Sequence, residues 1–306
     1  MTKSSEQRPF KSGYVALVGA PNVGKSTLLN GIMGEKISIT APKPQTTRNR
    51  ILGILTRPDC QAVFVDTPGI HKARDPFNKI LVDTALSTLN EVDVVCFLLE
   101  VPETHKHLDS FILENLRRIR SPVILVVNKV DRLPHKPDLL PLMDHYRNLF
   151  PFHAIVPTSA LKGDGVEELL GEILGLLPEG PRYYPEDYST DQPERFLAAE
   201  LIREKIFHLL RQEVPYAVAI TVDQFKEEPD RNLIDIEATI HVERDSQKSI
   251  LIGRQGRMIK EIGKRARGDI EILLGCRVFL GLFVRVTRDW RKNPRSLREF
   301  GYLQNR

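Results

Sequence analysis

Nine consecutive residues, Gly19-Ala20-Pro21-Asn22-Val23-Gly24-Lys25-Ser26-Thr27, carry the first chemistry legible in this chain. They fit the pattern Gly-x-x-x-x-Gly-Lys-Ser/Thr. In that pattern a glycine-containing turn aims backbone N–H groups at phosphate oxygens, the lysine reaches the β- and γ-phosphates, and the hydroxyl takes a place on Mg²⁺. Lys25 and Ser26 are expected in those two roles. A glycine turn can match by chance, so the flanks matter. Residues 14–18 are an apolar run of strand length, and Leu28, Leu29, Ile32 and Met33 follow at helical spacing. A helix starting there adds its own unpaired N–H groups to the phosphate cradle.

Further clusters follow in the order a nucleotide site needs. Residues 37–50 form a long polar loop, and loops of this kind are functional or disordered. Thr47, just before Arg48, is the expected Mg²⁺ ligand, with Thr46 as its competitor. Asp66-Thr67-Pro68-Gly69 ends the apolar run 61–65. A carboxylate at a strand end acts on the metal through its water shell, and a glycine lets its N–H approach the γ-phosphate. Lys25, Thr47, Asp66 and Gly69 are thus the expected catalytic set. The next residue is Ile70, where Ras-like GTPases place a water-orienting Gln. An isoleucine makes no such hydrogen bond and His71 reads as solvent-facing, so slow intrinsic hydrolysis is expected. Asn128-Lys129-Val130-Asp131 ends another apolar run, and Ser159-Ala160 follows a fourth. The Asp131 carboxylate can accept from the N1–H and 2-amino group of guanine. Adenine offers neither donor, so GTP is the expected nucleotide. The Ala160 N–H is expected on guanine O6, with Ser159 holding the loop.

The elements that must carry these residues alternate. Strand-like runs cover 51–55, 61–65, 92–99, 122–127 and 153–157, and helix-like stretches cover 78–90, 108–120, 139–150 and 166–177. A turn at 57–59 joins the first two runs as a hairpin. The alternation predicts an α/β domain with a doubly wound, mostly parallel sheet, whose ligand residues gather at the carboxyl ends of strands. Residues 177–187 hold too many prolines to continue either element and read as a semi-rigid connector.

Beyond it, 194–212 is helical, 217–222 and 233–240 are strand-like, 246–252 and 257–274 are helical, and 277–286 is a third strand. Between the last two helices stands Gly253-Arg254-Gln255-Gly256. Gly-x-x-Gly alone is often a tight turn. Within an αββααβ order it is the KH signature, a clamp for a single-stranded nucleic-acid backbone. Arg254, Arg257, Lys260 and Lys264 supply charge, Gln255 lies between the glycines, and Ile252 and Ile259 line an apolar groove. Trp290, in Trp-Arg-Lys-Asn-Pro-Arg, either stacks on a base or packs on the domain's own surface. From Lys248 onward there are 15 Lys and Arg against 5 Asp and Glu, a net of +10 in a chain of +4. An asymmetry of that size points to a polyanion partner.

The length of 306 residues suits two domains. The expected division is a flexible tail 1–11, a G domain 12–180, a linker 181–194 and a type-II KH domain 195–306 with a basic tail. No run reaches the apolar length of a membrane span, the N-terminus lacks a signal-peptide core, and Cys60, Cys96 and Cys276 read as buried free thiols of a reducing cytoplasm.

The wording Gly-Ala-Pro-Asn-Val-Gly-Lys-Ser, with Gln45-Thr46-Thr47-Arg48-x-Arg50 and the downstream KH pattern, resembles the Era family over nearly the whole chain. The resemblance implies a ribosome-assembly GTPase. It implies binding to the 3′ end of small-subunit ribosomal RNA on a 30S-type particle, and peripheral membrane association, for which the sequence has no amphipathic signal. Asn22 stands where the related group recruits K⁺. A cytoplasmic monomer is the expectation.

Overall fold

The computed structural model describes residues 9–303 except 74 and 104. The parts of the expected tails at 1–8 and 304–306 lie outside the described residues. The chain divides into two compact units. Among the described residues, the first comprises 9–38, 47–72 and 81–191; the second comprises 39–46, 73–80 and 192–303.

The first unit is built on strands β1 (Lys11–Gly19), β2 (Ile51–Arg57), β3 (Cys60–Asp66), β4 (Val94–Glu100), β5 (Val123–Asn128) and β6 (Ala154–Pro157). With them are helices α1 (Lys25–Met33), α2 (Pro76–Thr88), α3 (Lys106–Leu116), α4 (Leu139–Leu149) and α5 (Val166–Leu176). The sheet order is β2-β3-β1-β4-β5-β6, with β2 antiparallel to β3 and the other pairings parallel. Helix α2 straddles the division, since its first residues cluster with the second unit. β3, β4 and β5 are buried along their whole length. For β4 and β5 that matches the nearly continuous apolar sequence of parallel strands covered on both faces, while β3 also buries the polar Gln61.

Two expectations about the borders of this unit change. Lys11, expected in the tail, begins β1, where it pairs with Cys60 and bridges to Glu179. The connector, expected to begin at 181, belongs to the first unit as far as 191. The reason is the buried Gln61, whose Nε2 donates to the Tyr184 carbonyl at 2.9 Å and whose Oε1 accepts from Tyr183 and Tyr184 N–H at 2.8 and 3.0 Å. Thr190 Oγ1 adds a bond to the Leu52 carbonyl at 2.7 Å. A proline-rich segment has few N–H groups to offer a sheet, and here side chains make up the deficit.

The second unit contains α6 (Glu194–Leu209), β7 (Ala219–Glu228), β8 (Leu233–Val242), α7 (Asp245–Ile252), α8 (Arg257–Leu274), β9 (Arg277–Val286) and α9 (Pro294–Glu299). Its sheet order is β7-β8-β9, antiparallel then parallel. Residues 39–46, expected in the G domain, are part of this unit. Ile39 is buried in its core, the Thr40 N–H donates to Glu204 Oε1 at 3.0 Å, and Lys43 Nζ donates to the carbonyls of Phe207, near the end of α6, and of Leu210, the residue that follows that helix. A lysine at a helix C-terminus satisfies carbonyls that have no partner within the helix. Trp290 is fully buried and donates from Nε1 to the Ala217 carbonyl at 2.9 Å, against Tyr302 and Phe300. Of the two readings left open for it, packing holds. Cys60 and Cys96 are buried free thiols, but Cys276, expected buried, is only half-buried.

Candidate nucleotide site and nucleic-acid clamp

The loop from Gly19 to Gly24 leaves the end of β1 and turns into α1. Gly24 has φ 104°, and a Cβ there would stand 2.2 Å from Asn128 Nδ2. Only glycine meets both demands. α1 carries no side-chain cap and no acidic residue in its first turn. Its leading N–H groups, with Ser26 and Thr27 in that turn, remain available to an anion. Lys25 is buried and donates from Nζ to the carbonyls of Gly19 and Ala20 at 3.1 and 2.9 Å. Its pKa falls from 10.5 to about 8, first through burial and then through the Lys129 charge, with Asp66 opposing.

Ser26, Thr47 and Asp66 meet. Ser26 Oγ lies 2.8 Å from Thr47 Oγ1, and both donate to Asp66 Oδ2, at 2.6 and 3.3 Å. Thr46 instead donates to the Lys43 carbonyl at 2.7 Å, which places Thr47 and not its competitor at the cluster. Ser38 was not expected here, yet its buried hydroxyl donates to the same Asp66 oxygen at 2.8 Å. Nothing marked it out within the polar loop. Asp66 is fully buried, burial raises its carboxyl pKa, and its Oδ1 has no hydrogen-bond partner. A buried carboxylate with an orphan oxygen, facing two hydroxyls, is a donor set of the hard oxygen type that suits Mg²⁺. No cluster of three or more His, Cys, Asp or Glu suited to a metal occurs among the described residues.

Gly69 lies against the phosphate loop, where a Cβ would stand 2.7 Å from Pro21 Cα. The Ile70 N–H donates to the Gly19 carbonyl at 3.0 Å, and the Ile70 side chain is buried in the core. His71, read as solvent-facing, is half-buried with Nδ1 2.8 Å from the Gly69 carbonyl. The Thr67 hydroxyl is spent on the Leu17 carbonyl at 2.8 Å, so this candidate and the neighbouring buried Pro68 shape the turn.

At the end of β5, Asn128 Nδ2 donates to the Val23 carbonyl at 2.8 Å, and Lys129 Nζ donates to the Asn22 carbonyl at 2.5 Å. The Asn128-Lys129 pair thus ties the base-side loop to the phosphate loop. Ser159, expected to hold the loop, donates from Oγ to Asp131 Oδ1 at 2.6 Å. Ala160 differs from its reading: its N–H donates to Asn128 Oδ1 at 2.9 Å rather than standing open toward a base. Asn128 is buried, and its amide oxygen needs a donor.

In the second unit, the chain between α7 and α8 passes through Gly253 (φ 69°), Gln255 (φ 52°) and Gly256 (φ 74°). A Cβ on Gly253 would stand 2.7 Å from Met258 Cβ. Gly256 is the uncapped N-terminus of the 18-residue α8, another exposed set of N–H groups. Arg254, Arg257, Lys260 and Lys264 are exposed, with Ile252 and Ile259 half-buried beside them. Residues 257, 260 and 264 share one face of α8. Arg265 and Arg267 on the same helix pair with Glu261 and Glu271, whereas among the described residues the other four make no ion pair. That leaves a coherent, uncompensated positive edge beside the glycine turn.

A family model described as 50S ribosome-binding GTPase matches residues 14–129, and one described as KH domain matches 213–291. GTPase Era of Geotalea uraniireducens (strain Rf4) is 55% identical over 296 residues, spanning 97% of this chain and 99% of the relative. GTPase Era of Syntrophus aciditrophicus (strain SB) is 54% identical over 293 residues, spanning 96% and 95%. A crystal structure of Era in complex with MgGDPNP and nucleotides 1506–1542 of 16S ribosomal RNA matches with a TM-score of 0.93 at 44% identity, covering 96% of this chain and 100% of that one. An Era variant from Aquifex aeolicus bound to GDP·AlF4⁻ matches with the same score and coverage at 42% identity.

Proposed function

The chain belongs to the Era family of GTPases, and on that premise we propose a GTP-driven switch that binds the 3′ end of small-subunit ribosomal RNA and assists assembly of the 30S-type particle. The observation that carries this reading is the likeness to an Era–RNA complex across both units at once. The GTPase model's description names the large subunit, but it covers residues 14–129 and stops short of the glycine turn at 253–256; the match that includes that turn is to a protein bound to 16S RNA.

In this reading Lys25 and the amides of residues 19–27 hold the phosphates. Ser26 and Thr47 ligate Mg²⁺, Asp66 acts through the ion's water shell, and the Gly69 N–H senses the γ-phosphate. Mg²⁺ supplies charge neutralisation between the phosphates; the chain's own residues orient and exclude water. Asn128, Lys129 and Asp131 select guanine, with Ser159 and Ala160 buttressing them. Ile70 leaves the attacking water without a side-chain partner at its position, which supports slow turnover. K⁺ at Asn22 rests on resemblance, and equal hydrolysis in K⁺ and Na⁺ would remove it. Ile252 and residues 253–257, with Lys260 and Lys264, clamp the single strand. No helix among the described residues is long and apolar enough to cross a membrane. We read the protein as a cytoplasmic monomer; peripheral contact with the membrane's inner face rests on the family resemblance alone.

The test is affinity for a single-stranded 3′-end RNA at fixed salt, with GDP and with a non-hydrolysable GTP analogue. A preference of at least about fivefold for one state is expected of coupled sites. Equal affinities would make the protein a constitutive RNA-binding chaperone with a structural nucleotide.

A further inference from the structure

Glu100 belongs to none of the sequence clusters, yet it stands at the centre of the nucleotide site's scaffold. It is the last residue of β4, level with Asn128 across the β4–β5 pairing, and only 7% exposed. Its Oε2 accepts from Lys129 Nζ, with Arg132 Nη1 at 3.8 Å, and its Oε1 lies 3.6 Å from His105 Nε2. Lys129 has φ 66°, which turns its side chain back over the loop, and the same ammonium reaches the Asn22 carbonyl at 2.5 Å. One cation therefore links β4, the base-side loop and the phosphate loop.

Carbonyl oxygen alone is a weak anchor for an ammonium that is largely withdrawn from water. A buried carboxylate is a strong one, and it is itself stable only when paired. Lys129 also lies near enough to Lys25 to depress that residue's basicity. Without a counter-charge the two ammoniums would push Lys129 outward, away from Asn22. We propose that Glu100 is a positioning residue of the guanine-nucleotide site: its carboxylate holds Lys129 across the phosphate loop, and that brace sets how long the nucleotide stays bound. The inference rests on reading Asn128, Lys129 and Asp131 as the base site.

The experiment is the dissociation rate of mant-GDP from the full chain, for wild type, Glu100→Gln, Lys129→Met and the double variant. Glu100→Gln should speed release by roughly tenfold or more, the scale of one charge-assisted hydrogen bond. The double variant should release no faster than Lys129→Met alone, because both remove the same brace. A role confined to fold stability would lower the melting temperature and leave the two effects multiplicative. Glu100→Gln within about twofold of wild type, or multiplicative effects, overturns the proposal. If Glu100→Gln does not fold, the same cycle with Glu100→Asp, which keeps the charge on a shorter stem, decides it. Wild type failing to retain mant-GDP would overturn the base-site reading as well; retention with an unaltered variant overturns only the role of Glu100.

Discussion

Ser26 Oγ and Thr47 Oγ1 stand 2.8 Å apart, and Asp66 Oδ2 accepts from both. Two hydroxyls converging on one buried carboxylate is the arrangement that a shared hard cation would bridge. Thr47→Ala should therefore weaken Mg²⁺ binding during GTP hydrolysis, raising the Mg²⁺ concentration for half-maximal rate by at least about tenfold. Thr46→Ala removes only the bond to the Lys43 carbonyl, costing about 1 kcal/mol of stability and leaving that Mg²⁺ midpoint within about twofold. Mg²⁺ titration of the steady-state rate distinguishes them, and a larger shift for Thr46→Ala would reverse the assignment.

Lys25 predicts a pH dependence of nucleotide affinity. Burial chiefly holds its pKa down near 8, and phosphate charge would raise it on binding. Below pH 8 the ammonium is already formed and binding takes up no proton. Above it, each binding event must protonate Lys25, so GDP affinity should fall by up to about tenfold per pH unit until the bound-state pKa is reached. Calorimetry in buffers of different ionisation enthalpy should show near-zero proton uptake at about pH 6.5 and close to one proton at about pH 9. No uptake at the higher pH would mean that Lys25 does not meet the phosphates.

The clamp predicts a salt signature. Arg257 and Lys260 lie on one face of α8, with no carboxylate partner among the described residues. If each meets one phosphate, Arg257→Ala and Lys260→Ala should each lower the slope of log affinity against log salt by about 0.7 for a single-stranded RNA. Arg265→Ala, which removes a residue paired with Glu261 at 2.6 Å, should leave the slope near the wild-type value. Fluorescence anisotropy over a salt series reads all three, and an equal loss for Arg265→Ala would show a diffuse field in place of a clamp.

Much of this was legible because the informative signals are local. The Arg277–Val286 strand spans the range expected of it, and the nucleotide motifs sit at the ends of the runs expected to be strands. Several of the changes and omissions come from pairings between residues far apart in the chain. Gln61 captures Tyr183 and Tyr184, 122 and 123 positions away. Asn128 takes the Ala160 N–H across 32 positions, and Ser38 finds Asp66 across 28. Glu100 is an acidic residue ending an apolar run, and nothing in its neighbours announces Lys129. Trp290 shows the same limit from the other side: its basic neighbours suggest a nucleic-acid contact, while its surroundings in space are aromatic and closed.

Base selection gives the sharpest exchange of function. Asp131 is placed by the short turn Val130–Arg132 after β5, and its Oδ1 accepts from Ser159 Oγ at 2.6 Å. In Asp131→Asn the amide oxygen can keep that serine bond while the NH₂ group replaces an acceptor with a donor. Guanine presents N1–H and a 2-amino group, so two donors would then face one, and a buried polar group left unpaired costs about 1–3 kcal/mol. Xanthine carries a carbonyl at C2, which accepts from the new amide. The variant should therefore lose at least about tenfold in affinity for GDP and gain for the xanthine nucleotide, with little change in melting temperature. Competition of each nucleotide against mant-GDP measures both arms. A variant that loses both nucleotides equally would mean that Asp131 holds the loop and does not read the base. Because the exchange leaves the clamp untouched, the same variant also tests the switch: its RNA affinity should respond to xanthosine di- and triphosphates and ignore GTP at concentrations that saturate the wild type.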